Sequence, residues 1–430
     1  MSEWRDRWLS LVEKARELAS SEPESPRLTE VLEEIKAIYV RAVVGGELRR
    51  AKRWLSIFRR LEDEVSSVLG VKGVMKPKEF KSFVRDPELH LRKKLFIYVH
   101  DLARGRLSVE EFESKASAAL KTSLMTNQRS LYQSWVYLAL VAILGRRGYR
   151  LVYPDDAYIH LERSGRQKSG LIPPNSVLSD GFHAVSLFIE APRPLGWEDS
   201  RDLSRIWSLY VALRPDMLAY GGRVLNIVRL EDPSSPILRP DVIIECKELE
   251  DWYDRIREVK GPLVKPLTAE EWRHRWLQGL WDGLADVLGV SREEAEERVK
   301  ERRGVRLRDR QIVVLYKRFY EPKHMILVSR ARVPSEVRRE LREEGIEVMD
   351  GVGFRIGRLE GVADMLEDVA KESESRVDFV ELSDEAKALL LKLRAELLSR
   401  GLAVSPQKVV EEALRLALSR ADELASRIGK

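Results

Sequence analysis

The run Val242-Ile243-Ile244-Glu245-Cys246-Lys247 is the feature that most restricts how this chain can fold. Val242, Ile243 and Ile244 are β-branched and Pro240-Asp241 stand before them, so the run reads as a short buried strand. Side chains alternate along a strand. Glu245 and Lys247 therefore leave one face together, while Cys246 points the other way, into the core. A carboxylate and an ammonium at the end of an otherwise apolar strand are costly to place there. That cost marks the pair as a candidate for chemistry.

The surrounding pattern supplies the rest of a sheet. Strand-like runs at 151–153, 157–161, 184–191, 217–220 and 224–228 come first, separated by Pro, Gly, Asp and Ser. An apolar helix over 131–144, stopped near Gly145 and Gly148, leads into them. After the key strand come a helical block at 269–288, a charged helix to residue 303, and strand-like runs at 312–316 and 325–329. A helix over 335–344 and a strand over 346–349 then complete a βαβ-like unit. The expected class is α/β, a mixed sheet flanked by helices.

Residues 1–120 read as helices instead, with Trp4, Trp8, Leu11, Val12 and Leu18 recurring near helical spacing. The texture changes near Ser130. Four parts are expected: a helical N-terminal domain over 1–125, the mixed-sheet domain over 126–358, a linker helix over 359–375 and a C-terminal module over 376–430. A chain of 430 residues is long enough for several cores.

Composition narrows the class. Net charge is only +5 with 34% charged residues, so the total does not decide for a polyanionic partner. Locally, Arg49, Arg50, Lys52, Arg53, Arg59 and Arg60 crowd one helix, as a solvated face or as a phosphate-contacting surface. Three Asn and six Gln beside abundant Glu, Lys and Arg are the pattern of heat-adapted proteins. The single cysteine excludes an internal disulfide and a multi-thiolate zinc knuckle. No run approaches the length of a membrane span and the charged start MSEWRDRWLS lacks a signal sequence, so a cytoplasmic protein is expected. No GxxxxGK[ST] loop argues for an NTP-driven motor. His183, His274 and His324 lack metal spacing, and Trp272, Trp276 and Trp281 read as packing before base stacking.

Two fragments carry the chemistry: Leu213-Arg214-Pro215-Asp216 before an apolar run, and Glu245-Cys246-Lys247. Together they resemble the PD-(D/E)xK nuclease superfamily over about half of the chain, with an order of elements most like the nuclease domains of McrC-type restriction proteins. The resemblance implies a restriction-endonuclease-like fold in which Asp216 and Glu245 bind Mg²⁺ or Mn²⁺ and Lys247 is the catalytic ammonium. The leading helix would face the metal with Gln133, where the family often has Glu. Gln278 is a loose match to a supporting Gln on the following helix. A rival Pro-Asp pair ends at Asp241, but at about 3.3 Å per residue it lies about 13 Å from Glu245 along one strand, too far to share an ion. Glu162 and Glu190 read as ordinary strand-end carboxylates.

The C-terminal segment resembles a ribbon–helix–helix module. It has a strand at 377–382, a helix capped by Ser383, a turn at Gly401 and a helix opened by Ser405-Pro406. Leu389, Leu390, Leu393, Leu397, Val409, Val410, Ala413 and Leu414 would form a dimer core. Asp378 and Glu381 on the strand argue for dimerisation over reading DNA, with a plain helical hairpin as the remaining alternative. The expected protein is a metal-dependent endonuclease acting on DNA as a homodimer, with a further protein partner left open. The alternative is a catalytically inactive DNA-binding or scaffold protein that keeps the nuclease fold.

Overall fold

The computed structural model describes residues 3–164, 172–191, 214–227, 237–259, 290, 291, 293, 294, 305–373, 384–400, 402 and 406–420. The chain divides into two compact units, Met1–Arg376 and Val377–Lys430.

The first unit begins with helices. α1 (Glu3–Ser21) buries Trp8, Val12 and Ala15 at i, i+4 and i+7. α2 (Pro26–Leu69) starts where the Ser25 hydroxyl accepts from Arg27 N and Pro26 takes the first turn. It kinks at Val44 and ends at Gly70 in the left-handed region, φ 67°. A short strand β1 (Gly73–Met75) follows, then α3 (Lys78–Arg85), α4 (Pro87–Lys94) and α5 (Phe96–Ala103).

α6 (Val109–Arg146) is opened by a reciprocal cap between Ser108 and Glu111. It runs unbroken through residues 125 and 126, so the domain boundary expected there falls inside one helix. Every residue from 131 to 145 is buried. A helix apolar all round must be covered all round, and α6 is packed between the helical layer and the sheet, within one continuous core. At Gly145 a Cβ would lie 2.8 Å from side-chain carbons of Val68 and Leu69, which sets how closely α2 approaches.

The strands that follow are β2 (Arg150–Tyr153), β3 (Tyr158–His160), β4 (Ser176–Ser179), β5 (Ala184–Ile189), β6 (Met217–Gly221), β7 (Val242–Lys247), β8 (Ile256–Val259) and β9 (Val305–Arg308). Then come α7 (Asp309–Tyr320), β10 (His324–Ser329), α8 (Ser335–Glu343), β11 (Glu347–Met349) and α9 (Glu360–Glu372). Seven strands form one mixed sheet in the order β11-β10-β7-β6-β5-β4-β2. β2, β4, β5, β6 and β7 pair antiparallel in that order, whereas β7, β10 and β11 are parallel. Val242, Ile244 and Cys246 face the core shared with α6; Ile243 faces a second core built with α7 and α8.

Several elements depart from the sequence reading. Residues 312–316 lie in α7, not in a strand. Ile312, Leu315, Tyr316, Phe319 and Tyr320 are buried at helical spacing, and Arg308 N donates to Gln311 Oε1 at the helix start. Residues 224–227 are irregular rather than a strand: Gly222 turns the chain at φ 84° and Val224 N donates to Ser186 Oγ. The strand Ser176–Ser179 gave no apolar signal because it is half serine. The helix expected as a linker over 359–375 instead buries Val362, Ala363, Leu366, Val369 and Ala370 in the core shared with β5 and β6. The helices expected at 269–288 and onward to 303 fall mostly outside the described residues, as does the cluster Trp272, Trp276 and Trp281.

In the second unit α10 (Asp384–Ser399) and α11 (Pro406–Ser419) stand where the two helices were expected. The strand at 377–382 lies outside the described residues. Among the described residues no helix is long and apolar enough to cross a membrane.

Gly221 ends β6 where α9 crosses. A Cβ there would stand 2.0 Å from Ser373 Oγ and 2.2 Å from the Val369 carbonyl oxygen. Gly221→Ala is therefore expected to destabilise the first unit by about 1–3 kcal/mol through overpacking. Thermal unfolding followed by circular dichroism reads this, and an unchanged midpoint would contradict the close approach.

Candidate active site

The pairing register between β6 and β7 builds the site. Met217 pairs with Ile244 and Leu218 with Ile243, so Asp216, immediately before β6, stands across from Glu245. Directly opposed residues in an antiparallel pair share a face. Asp216 N donates to Glu245 Oε2 at 3.1 Å and Cys246 N donates to Asp216 Oδ2 at 2.8 Å. Lys247 Nζ donates to Glu245 Oε1 at 2.8 Å. All three side chains are buried. The residues picked from sequence thus lie together at adjoining strand ends. Asp241 lies at the opposite end of β7, where its Oδ2 accepts from Gly221 N and its Oδ1 pairs with Lys323.

α6 adds two groups from the far side of the strand end. Gln133 Nε2 donates to the backbone oxygen of Asp216 at 3.1 Å, so its amide holds the main chain of Asp216. The same oxygen accepts from Glu190 N at 2.9 Å. Glu190 itself sits at φ 42° just past β5, and its carboxylate pairs with Arg163. One turn before Gln133, Arg129 reaches Asp216 Oδ1 at 3.1 Å. Sequence reasoning missed Arg129, although its i−4 spacing from Gln133 puts both on one helix face. It also missed Tyr316, a buried phenol on α7 held protonated by burial and by the charges of Glu245 and Asp216. Gln278 lies outside the described residues.

Two carboxylates and two cations therefore meet in the interior. Burial, and then the neighbouring charge of Asp216, push the Glu245 carboxyl up to about 7, against the pull of Lys247 and Arg129. The Asp216 charge in turn holds the Arg129 guanidinium more firmly in its charged form. Each carboxylate oxygen accepts one of the bonds described, which leaves each a second lone pair. Among the described residues no group of three or more His, Cys, Asp or Glu side chains gathers as a metal cage. A pair of hard oxygen donors still suits Mg²⁺, which takes one or two protein carboxylates and fills its octahedron with water and phosphate. Arg129, one-third exposed, is the protein cation that such an ion would have to displace or share with Asp216.

A cleft of about 1020 Å³ opens beside this cluster rather than over it. Gln133, Glu190 and Arg214 line it, and it runs along α6 past Asn127 and Ser123 to Lys115. Glu162 lines it as well. Among the other histidines, His183 pairs with Asp180 and His160 with Asp156. No family model, curated protein or solved structure matches the chain.

The raised Glu245 carboxyl gives a pH signature. Between about pH 4.5 and 7 the folded chain keeps a proton here that the unfolded chain has released. This group's contribution to metal-free stability therefore falls as pH rises across that window. Infrared difference spectra of the wild type against Glu245→Gln should show a protonated carboxyl disappearing near pH 7. Loss of that band near the ordinary 4.5 would contradict the assignment.

Proposed function

We propose that the chain is a nuclease of the PD-(D/E)xK type that hydrolyses phosphodiester bonds in DNA with Mg²⁺ or Mn²⁺. One observation carries the reading: the β6–β7 register sets Asp216 against Glu245, with Lys247 on the Glu245 carboxylate, at the ends of two central strands. A structural ion pair needs one acid and one base. A second acid brought against the first, at an electrostatic cost, is what a cation site requires.

Asp216 and Glu245 would hold the ion. When bound, the metal supplies polarisation of the phosphate and a lower pKa for water. Lys247 Nζ, anchored on Glu245 Oε1, presents an ammonium where negative charge grows on the phosphate oxygens. Gln133 Nε2 and Glu190 N clamp the Asp216 carbonyl and so fix the peptide that carries one ligand. Cys246 N holds the Asp216 carboxylate, which leaves little freedom for reorganisation. The restriction-endonuclease-like fold accords with the mixed seven-stranded sheet and with the parallel β10–α8–β11 unit beside β7.

The second unit serves, in this reading, as a ribbon–helix–helix module that joins two chains. Leu389, Leu393 and Leu414, assigned to its dimer core from sequence, are exposed in the single chain, and pairing with a second copy would cover them. Two sites about a two-fold axis would suit cutting both strands of a duplex. Equilibrium sedimentation at twice the chain mass, lost in Leu393→Glu, is the expected result; a monomer at micromolar concentration would count against the module.

One observation favours a second reading, an inactive DNA-binding or scaffold protein. Arg129 pairs with Asp216 and Lys247 with Glu245, so each carboxylate has a protein cation of its own. The two readings separate in one assay: plasmid, single-stranded and branched DNA incubated at elevated temperature with Mg²⁺, Mn²⁺ or EDTA. The nuclease cleaves only with metal, and Lys247→Ala slows it by about 100-fold or more. Salt-sensitive duplex binding without cleavage of any substrate would replace the nuclease by the scaffold.

A further inference from the structure

We propose that the outer face of α2, joined to the catalytic strand through Trp54, is the surface that grips the phosphate backbone of a DNA duplex. This inference rests on the reading that the chain acts on DNA, and it assigns the helical layer a function that the site chemistry does not.

Charge distribution comes first. Between Glu47 and Glu62 the helix carries Arg49, Arg50, Lys52, Arg53, Arg59 and Arg60 and no acid. Two of these are tied inward: Lys52 pairs with Glu88, and Arg59 donates to the Val84 and Arg85 carbonyls. Arg49, Arg53 and Arg60, at i, i+4 and i+11, fall on one exposed stripe. Among the described residues no carboxylate stands within 4.0 Å of any of the three. At 1.5 Å per residue the stripe spans about 16 Å, roughly half a turn of B-form duplex.

Beside the stripe, Arg50 and Trp54 connect α2 to the residues near the site. Trp54 has the Arg50 guanidinium 5.6 Å and the Arg330 guanidinium 5.0 Å from its ring centre. Phe354 packs on Trp54 at 5.1 Å, and the next residue, Arg355, is exposed. Arg330 follows β10, its N donates to the Lys247 carbonyl at 2.8 Å, and its guanidinium donates to the Glu248 carbonyl. A path of guanidinium groups thus leads from α2 to the backbone of the catalytic lysine. Arg330 is balanced by Glu250, whereas Arg50 and Arg355 have no carboxylate partner among the described residues.

Like charges concentrated on one face repel unless an anion covers them. Guanidinium groups stacked on aromatic rings are ordered in advance for bidentate phosphate contact. Trp54 and Phe354 are packed inward, so the stripe lacks the exposed apolar side chains that a bilayer-inserting surface would need. A duplex phosphate backbone fits a rigid cationic line of this length.

The test is fluorescence anisotropy of a labelled 30-base-pair duplex with the full wild-type chain in EDTA, so that cleavage plays no part. Arg49→Ala/Arg53→Ala is compared with Arg339→Ala/Arg342→Ala, which removes the same charge from exposed positions on α8. Removing two phosphate contacts should lower the slope of log K against log salt by about 1.8 and weaken binding at low salt at least roughly tenfold. The α8 control should change neither. An unchanged slope in the α2 variant, an equal change in the control, or tighter binding to anionic vesicles than to DNA would overturn the proposal. Absence of metal-dependent cleavage by the wild type would sink the nuclease alone, since the anisotropy result judges the surface independently.

Discussion

The burial of α6 on every side is the constraint from which the rest of the first unit follows. From residue 131 to 145 no side chain reaches solvent freely. Such a helix has no stable place at a surface, and it draws α2 against one side and the sheet against the other. Gly145 lets α2 come close, and the hydrogen bond between Tyr137 and Ser176, at 2.6 Å, satisfies the polar groups trapped beneath β4. The chemical consequence lies at the N-terminal end of this segment. Because the apolar segment is clamped in register with the sheet, Gln133 and Arg129 arrive at the end of β6, on the backbone and the carboxylate of Asp216.

The candidate site is held together by electrostatic compensation. Two buried carboxylates at adjoining strand ends would repel one another and would be poorly solvated. Lys247 offsets the cost from within β7, and Arg129 offsets it from α6. Two protein cations thus face two carboxylates, with Arg129 on the Asp216 side and Lys247 on the Glu245 side. Under the proposed function, the second lone pair of each carboxylate oxygen is what a hard ion would take. The helical layer belongs to the same picture, since the buried Trp54 of α2 lies under the guanidinium of Arg330 in the loop that follows β10.

Legibility in the sequence differed from residue to residue for identifiable reasons. The strand Val242–Lys247 was readable because three β-branched residues in a row have few alternatives, and period-two alternation then placed Glu245 and Lys247 on one face. Asp216 was readable only as a candidate, since strand pairing is a non-local choice. Residues 312–316 look like a strand in isolation, Ile-Val-Val-Leu-Tyr, yet they fold as part of α7 because tertiary packing overrides a local preference. The Ser-rich strand β4 has its polar ends buried, so no hydropathy pattern announces it. Arg129 carried no mark at all: an arginine on a helix becomes part of a site only when that helix crosses a strand end.

By itself the sequence determined the α/β class, the helical character of the N-terminal third, the buried strand with its acid–base pair and the two C-terminal helices. These are properties of local periodicity, capping and β-branching, which act over a few residues. Only the tertiary structure decided that the β6–β7 register sets Asp216 across from Glu245, that Gln133 holds a carbonyl, that Arg129 joins the cluster and that α9 seals the sheet at Gly221. Those outcomes depend on which segments become neighbours after loops of tens of residues close. That choice is made by the burial of whole faces, and no short stretch of sequence encodes it.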